Sequence, residues 1–288
     1  MGHMHLTISF ALLSLLFAGI NDVVFKRYSR KVRSKGMYIF GIGVVWTALQ
    51  VITFKVQGTT FSFNQNTLLF GLAAGIFLTI SNILLIESLT HLDVSLGSTI
   101  YRLNTIGVIA LSVSFLREPM SLLKFLGIVA GIIGISLLYQ KQSSSPHNAV
   151  FTVSFAVVIV ASLARAAYGV TAKAGISQNA DPNAMLLLFS SSWIIGGACY
   201  AGLREKRFRL TAKKVLYSLL SGILVFLIVS FLMLAMEHGE ASIAIPVANL
   251  SFFIALLLSI VLKMETLTPR KLCAMGCALV SIVLLSQA

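Results

Sequence analysis

The sequence alternates between apolar stretches of about twenty residues and short polar connections, a pattern typical of a chain that crosses a lipid bilayer repeatedly. A helix needs about 20 predominantly apolar residues to span the hydrocarbon core, and by this measure the chain holds ten spans. The predicted spans are 6–26, 36–54, 67–90, 93–116, 121–139, 149–173, 184–203, 213–236, 241–262 and 269–286. The expected fold class is therefore an all-α membrane protein with ten transmembrane helices.

The second half of the chain repeats the first at a constant offset of 147 residues, without a gap. The two tryptophans coincide in this register, Trp46 on Trp193, and several polar residues coincide with them. The further matched pairs include Lys26 and Lys173, His91 and His238, Ser95 and Ser242, and Glu118 and Glu265. Because each copy has five spans, the copies cross the membrane in opposite senses. Inverted repeats of this kind are characteristic of secondary transporters.

The boundary between the two copies falls in the most linker-like part of the chain. Residues 140–148 read QKQSSSPHN, which is polar and contains a proline. We therefore expect a first five-helix repeat at 5–140, a linker at 141–148 and a second five-helix repeat at 149–287.

Composition excludes an ordinary soluble protein. Hydrophobic residues make up 57% of the chain and charged residues 11%, whereas a globular chain holds about 25% charged residues. The net charge of +13 does not indicate a nucleic-acid binder, because most basic residues lie in two short connections, at 26–35 and 204–214, rather than on a solvated face. By the positive-inside rule, these two basic connections lie in the cytoplasm and both termini lie outside.

A motif recurs before the last span of each copy. The first copy reads Ser114-Phe-Leu-Arg-Glu118-Pro119 and the second Val261-Leu-Lys-Met-Glu265-Thr-Leu-Thr268, each followed by a helix rich in small residues. Together with the length and the two five-span copies, this resembles the EamA-type module of the drug/metabolite transporter superfamily. The resemblance implies an integral protein of the bacterial inner membrane, although relatives usually keep both termini in the cytoplasm. From the residues themselves, Glu118 and Glu265 each lie at a membrane interface, where a carboxylate can face headgroups or cap the helix that follows. We expect capping, with a role in transport as the alternative.

Ionisable residues inside the spans are the candidates for function, because an Arg, Lys or Asp at a helix centre costs about 2.5–3.5 kcal/mol on insertion scales. Arg102 lies well inside span four and Arg165 inside span six. Asp22 and Glu87 lie near one membrane face, and Asn82 adds an amide to span three. Asn249 occupies the position equivalent to Arg102, whereas Arg165 matches Ala18, so the polar interior departs from the symmetry of the repeat.

Two interpretations of the arginines stay open. In one, Arg102 pairs with Asp22 or Glu87 and only holds helices together. In the other, Arg102 and Arg165 face a central cavity and bind a carboxylate or phosphate by bidentate hydrogen bonds. Spans one, three and four, with six, eight and nine, would surround that cavity, as the resemblance implies. The predicted substrate-binding residues are Arg102, Arg165, Tyr101, Tyr168, Asn249, Asn82, Trp46 and Trp193.

The candidates for ion coupling are Asp22, Glu87, His91 and His238, with a proton as the ion considered. The histidines begin short turns, and a role as interfacial turn residues is the alternative. Cys273 and Cys277 share a helix face, but no histidine stands near them, so we predict neither a metal site nor a cofactor.

The predicted function is secondary active transport of small metabolites, with the lipid bilayer and a small-molecule substrate as partners. The resemblance favours export and suggests amino acids or related compounds, and the arginines favour an anionic group. Proton-coupled efflux of cationic drugs is the alternative, but the middle of the first span, Phe10–Phe17, holds no acid. A membrane-embedded enzyme has less support, because no nucleophile–base cluster and no catalytic residues stand out.

Overall fold

The structure, a computed structural model, describes residues 2–30, 33–115, 120–138, 147–206, 211–238 and 241–286. Within these ranges the chain is helical, with no strand. The helices are α1 (Gly2–Ser29), α2 (Lys35–Gln57), α3 (Gln65–Ser88), α4 (Val94–Arg102), α5 (Asn104–Phe115), α6 (Leu122–Leu138), α7 (His147–Ser177), α8 (Pro182–Tyr200), α9 (Ala212–His238), α10 (Ala241–Asn249), α11 (Ser251–Val261) and α12 (Pro269–Ser286). A π-helical turn at Ala201–Glu205 extends α8.

These helices form the ten predicted spans and confirm an all-α membrane protein. Six helices are each long and apolar enough to cross a bilayer: α1, α2, α3, α7, α8 with its π-helical turn, and α9. Their outward faces carry large apolar side chains, among them Leu69 and Ile76 of α3. An apolar surface of this extent suits a protein surrounded by lipid rather than water.

Spans four and nine are each divided into two half-helices, which the hydropathy pattern had predicted as continuous. α4 ends at Arg102 and α5 begins at Asn104, so Leu103 alone interrupts the span. Here the Leu103 N–H bonds the carbonyls of both Thr99 and Ile100, a tightened turn of the 3₁₀ type. Leu250, which divides α10 from α11, is the residue equivalent to Leu103 in the repeat.

The packing of the spans follows a pseudo-twofold pattern. α2 packs on its counterpart α8, and α6 on its counterpart α12. The contact of α3 with α7 is matched by that of α1 with α9, its equivalent in the repeat. At the α2–α8 contact, the Trp46 and Trp193 rings meet edge to face with centroids 5.9 Å apart. The two repeats thus interdigitate into one bundle rather than forming separate domains.

Close approach of α2 to α8 depends on small residues. A Cβ placed on Gly197 would lie 2.3 Å from the backbone nitrogen of Phe40, and one on Gly43 would lie 2.7 Å from that of Ile194. Real Cβ atoms do not approach backbone so closely, so these positions require glycine for the helices to touch.

Both basic connections lie at one end of the bundle, called here the basic end. The Glu205 carboxylate accepts a hydrogen bond from the Lys35 backbone N–H at 2.7 Å and another from the Ser34 hydroxyl. The bond from Lys35 satisfies a free N–H group at the start of α2. Nearby, the Lys26 ammonium donates to the carbonyl of Leu89 at 2.8 Å and to that of Leu92, just beyond α3. The basic end is therefore closed by contacts between helices of both repeats.

Glu265 does not cap the helix that follows it, so that prediction is wrong. Its carboxylate accepts from the Ser95 backbone N–H at 2.9 Å and from the Ser95 hydroxyl, at the start of α4 in the other repeat. Lys271 donates to it at 3.1 Å. Glu118 and the linker residues 141–146 lie outside the described residues.

Candidate functional site

Two adjoining cavities run through the middle of the bundle and meet at the two arginines. Arg102, Arg165 and Ile228 border both cavities. The first extends along α9 as far as Met236, near the end of α9 that lies away from the basic end. The second extends towards the basic end, along Asp22 and Phe25 of α1. The arginines thus stand between two halves of a path across the bundle.

Arg102 is placed by the division of span four, since it is the last residue of α4. One terminal nitrogen of its guanidinium donates to both carboxylate oxygens of Asp22, each at 3.2 Å. Both side chains are buried, with 7% of Arg102 and 2% of Asp22 exposed. The Arg102 Nε is buried without a hydrogen-bond partner. Asp22 therefore satisfies only part of the guanidinium.

Arg165 differs from Arg102, because it makes no hydrogen bond or ion pair with any residue that the structure describes. The residue is 8% exposed, and its guanidinium carbon lies 4.8 Å from the centroid of the Tyr168 ring, one turn further along α7. The Tyr168 hydroxyl is likewise buried and unpaired. A buried, unpaired guanidinium is costly, and an anionic ligand would supply the missing acceptors.

Amide and hydroxyl groups from both divided spans line the first cavity. The Asn249 side chain donates to Asn104 Oδ1 at 2.6 Å and to Thr105 Oγ1 at 2.8 Å. These bonds join the end of α10 to the start of α5, and both asparagines border the cavity. The repeat therefore places a charged residue at one division, Arg102, and a neutral amide at the other.

The rest of the first cavity is largely apolar. Its lining includes Val108, Ile228, Leu232, Met236 and Ile245. In the second cavity Asn82 holds its amide by donating to the Leu78 carbonyl at 2.9 Å. Asn21 borders the second cavity as well, and its Oδ1 is buried without a partner. Polar and apolar side chains therefore line both cavities.

Some of the predicted aromatic residues line a cavity, and others only pack between helices. Tyr101 borders the second cavity, where Arg102 lies over its ring at 5.3 Å and its hydroxyl meets that of Ser81 at 3.0 Å. Trp193 borders the same cavity, whereas Trp46 lies behind it and lines neither cavity. The indole nitrogens of both tryptophans are buried without partners.

Three of the coupling candidates lie away from the cavities. Glu87 is at the basic end, where it accepts from Lys35 Nζ and from the Tyr200 hydroxyl, so it is not the partner of Arg102. His91 is exposed at that end. His238 lies at the opposite end, with its Nδ1 2.8 Å from the Leu234 carbonyl. Of the candidates for coupling, only Asp22 borders a cavity.

Sequence reasoning missed the apolar wall and the polar residues Ser14 and Asn104. The repeat register could have identified some of the cavity-lining residues, because equivalent positions of the two repeats line the same cavity. Leu78 and Val225 are equivalent positions, as are Asn82 and Val229, and all four line the second cavity. Ala18, the equivalent of Arg165, lines the first cavity as well. Among the described residues no group of three or more His, Cys, Asp and Glu side chains could hold a metal ion.

Two helical repeats around a central polar path define a membrane transporter. The family model of EamA-like transporters matches residues 5–140 and 152–287. The chain belongs to the EamA-like transporter family, whose members are transporters rather than enzymes.

A protein solved by crystallography is similar in structure, with a TM-score of 0.69 over 96% of both chains. Its sequence is 12% identical, so the likeness concerns the fold alone. No curated protein sequence matches the chain.

Proposed function

We propose that the protein is a secondary active transporter of small metabolites that carry an anionic group and an apolar body. The observation that carries this proposal is the unpaired guanidinium of Arg165, buried between two cavities and without an acceptor among the described residues. Arginine presents a planar fork of donors that matches a carboxylate or a phosphate. The free Nε of Arg102 adds a further donor beside it.

The lining of the first cavity favours an amphipathic substrate. With the anionic group at Arg165, the body of the substrate lies against Leu232, Met236 and Ile245. Amino acids with apolar side chains fit this description too. Their ammonium group would meet the unpaired Asn21 Oδ1 and the Asp22 carboxylate in the second cavity.

The proposed mechanism is alternating access, in which the two repeats exchange conformations around the arginines. Closure of the basic end by Lys26, Glu205 and Glu265 supports it, because the first cavity extends the other way. If the basic end is cytoplasmic, as its charge suggests, the first cavity extends towards the outside. We propose export across the bacterial inner membrane as the physiological direction.

Efflux of cationic drugs has less support. The carboxylate in the path, Asp22, is already paired with Arg102. A cation would have to displace an arginine and leave that guanidinium buried without its partner, which is costly.

Ligand stabilisation of the purified protein tests the proposal. Each carboxylate, such as isocaproate, 2-oxoisocaproate or L-leucine, is compared with its amide, which has nearly the same shape but lacks the negative charge of the carboxylate. Binding to the native state raises the melting temperature by mass action. We expect stabilisation by at least one carboxylate and by none of the amides.

Two arginine variants sharpen this test. Arg165→Gln removes the unpaired charge, and we expect it to weaken the stabilisation by carboxylates strongly. Arg204→Gln changes an exposed arginine of the π-helical turn and serves as the matched control, which keeps the response. Equal stabilisation of the wild type and of Arg165→Gln would refute the role of Arg165.

A further inference from the structure

We infer that the protein works as an anion exchanger, which transports a monoanion much faster in exchange for a second monoanion than alone. This inference rests on the proposed function and concerns the charge of the same site. Of the described residues that line the two cavities, three carry a charge: Arg102, Arg165 and Asp22. Two positive charges and one negative charge leave the empty site with one uncompensated positive charge.

That charge determines whether the empty or the substrate-loaded protein changes conformation readily. While a cavity is open to water, the solvent stabilises the Arg165 guanidinium. During the passage to the opposite state both cavities must close, and water leaves the site. The empty carrier then holds an unpaired charge in a medium of low dielectric constant, which is strongly unfavourable.

A bound monoanion removes this obstacle. Its charge cancels that of Arg165, so the loaded carrier passes through the closed state as a neutral site with its hydrogen bonds satisfied. The loaded carrier therefore moves in both directions, whereas the empty carrier returns slowly. A slow return of the empty form limits net transport but leaves exchange unaffected.

Symmetry in the repeat strengthens the assignment of the charge to Arg165. The position equivalent to Arg165 is Ala18, which lines the same cavity and adds no charge. The position equivalent to Asp22 is Gly169, which also lines the first cavity. No second carboxylate therefore stands opposite to compensate Arg165 among the lining residues.

The experiment measures uptake of radiolabelled 2-oxoisocaproate into proteoliposomes, either empty or preloaded with the unlabelled compound. Valinomycin with equal potassium on both sides holds the membrane potential at zero, so accumulated charge does not limit net uptake. Dextran sulfate, a polyanion too large to enter the site, replaces chloride, because a small monoanion such as chloride could compensate Arg165. The insertion cost of a charge at mid-membrane corresponds to a factor of roughly 100, and we expect preloading to accelerate uptake at least about tenfold.

Arg165→Gln makes the empty site neutral, since Asp22 then balances Arg102. Uptake by each protein is measured at the substrate concentration that half-saturates it. For Arg165→Gln, the ratio of uptake into preloaded vesicles to uptake into empty vesicles should fall to about one. Arg204→Gln, at an exposed position, should keep the wild-type ratio. Equal uptake by the wild type into empty and preloaded vesicles would overturn the inference and leave the proposed function intact.

Asp22→Asn provides a second test, in case Arg165→Gln does not transport. It raises the charge of the empty site to two, so a dicarboxylate rather than a monocarboxylate makes the loaded site neutral. We expect the ratio of succinate exchange to 2-oxoisocaproate exchange to rise at least about tenfold over the wild type. An unchanged ratio contradicts the charge argument. Absence of both uptake and stabilisation by every carboxylate in the wild type would overturn the proposed function itself.

Discussion

Asp22→Asn should destabilise the protein measurably, because it removes the charge that partly compensates a buried arginine. Breaking a buried ion pair by removing one partner costs about 3–5 kcal/mol. Two features of the structure reduce this figure. The contact uses a single nitrogen at 3.2 Å, longer than the usual 2.7–2.9 Å of such bonds, and Arg102 borders both cavities, so its surroundings are not fully packed. We expect a loss of about 1–3 kcal/mol.

The expected shift in melting temperature follows from this loss. For chains of comparable size, 1 kcal/mol corresponds to about 2–4 °C, so we expect a decrease of roughly 2–12 °C. Thermal unfolding in detergent can be followed by intrinsic fluorescence, since the two tryptophans, Trp46 and Trp193, are both buried at the contact between the repeats. The signal therefore reports on the part of the bundle that holds the repeats together.

A double-mutant cycle separates the ion pair from other effects. Arg102→Gln alone leaves the Asp22 carboxylate buried without its partner, and it should also destabilise. Asp22→Asn with Arg102→Gln should lose less than the sum of the two, with a coupling of about 1–3 kcal/mol. Asp93→Asn breaks an exposed contact with Lys271 and should change stability by less than about 1 kcal/mol. Strictly additive losses at Asp22 and Arg102 would refute the idea that they act as a pair.

Two further predictions concern the scaffold. Glu265→Gln weakens the bonds that hold the Ser95 end of α4, and we expect a loss of about 1–3 kcal/mol, measured as a lower melting temperature; an unchanged value would mean that this contact contributes nothing. Gly197→Ala forces a Cβ to 2.3 Å from the Phe40 nitrogen, so α2 and α8 must separate at a cost of about 1–3 kcal/mol or more. Gly276→Ala, where a Cβ would meet no neighbour, is its matched control; equal yield and melting temperature of the two variants would contradict the packing argument.

Much of the fold could be predicted because its signals are local or periodic. Span length and apolar content predict ten crossings, and the repeat register predicts that equivalent elements pack on one another, as α2 and α8 do. The division of span four could not be predicted, since the residues around Leu103 include neither glycine nor proline. That turn depends on packing between the repeats, which a single segment of sequence does not express.

The candidate site was predictable only where its chemistry is unusual for a membrane. Arg102 and Arg165 stand out because charge inside a span is costly, and both border the cavities. The wall formed by Leu232, Met236 and Ile245 consists of residue types that fill every span, so nothing in the sequence distinguishes it. Glu87 was a reasonable partner for Arg102 by depth, yet it lies with Lys35 and Tyr200 instead.

The way the repeat departs from symmetry has a physical consequence. If both copies kept an arginine at the positions of Arg102 and Arg165, four arginines would crowd one buried path, and their mutual repulsion would add to the cost of burial. With Asn249 and Ala18 at the equivalent positions, each copy contributes one arginine, and Asp22 balances one of them. One arginine charge then remains unpaired, and a single positive charge is the smallest net charge that can select an anion. A symmetric scaffold that changes conformation around the site can therefore coexist with chemistry that is not symmetric, because alternating access depends on the backbone and selection depends on these few side chains.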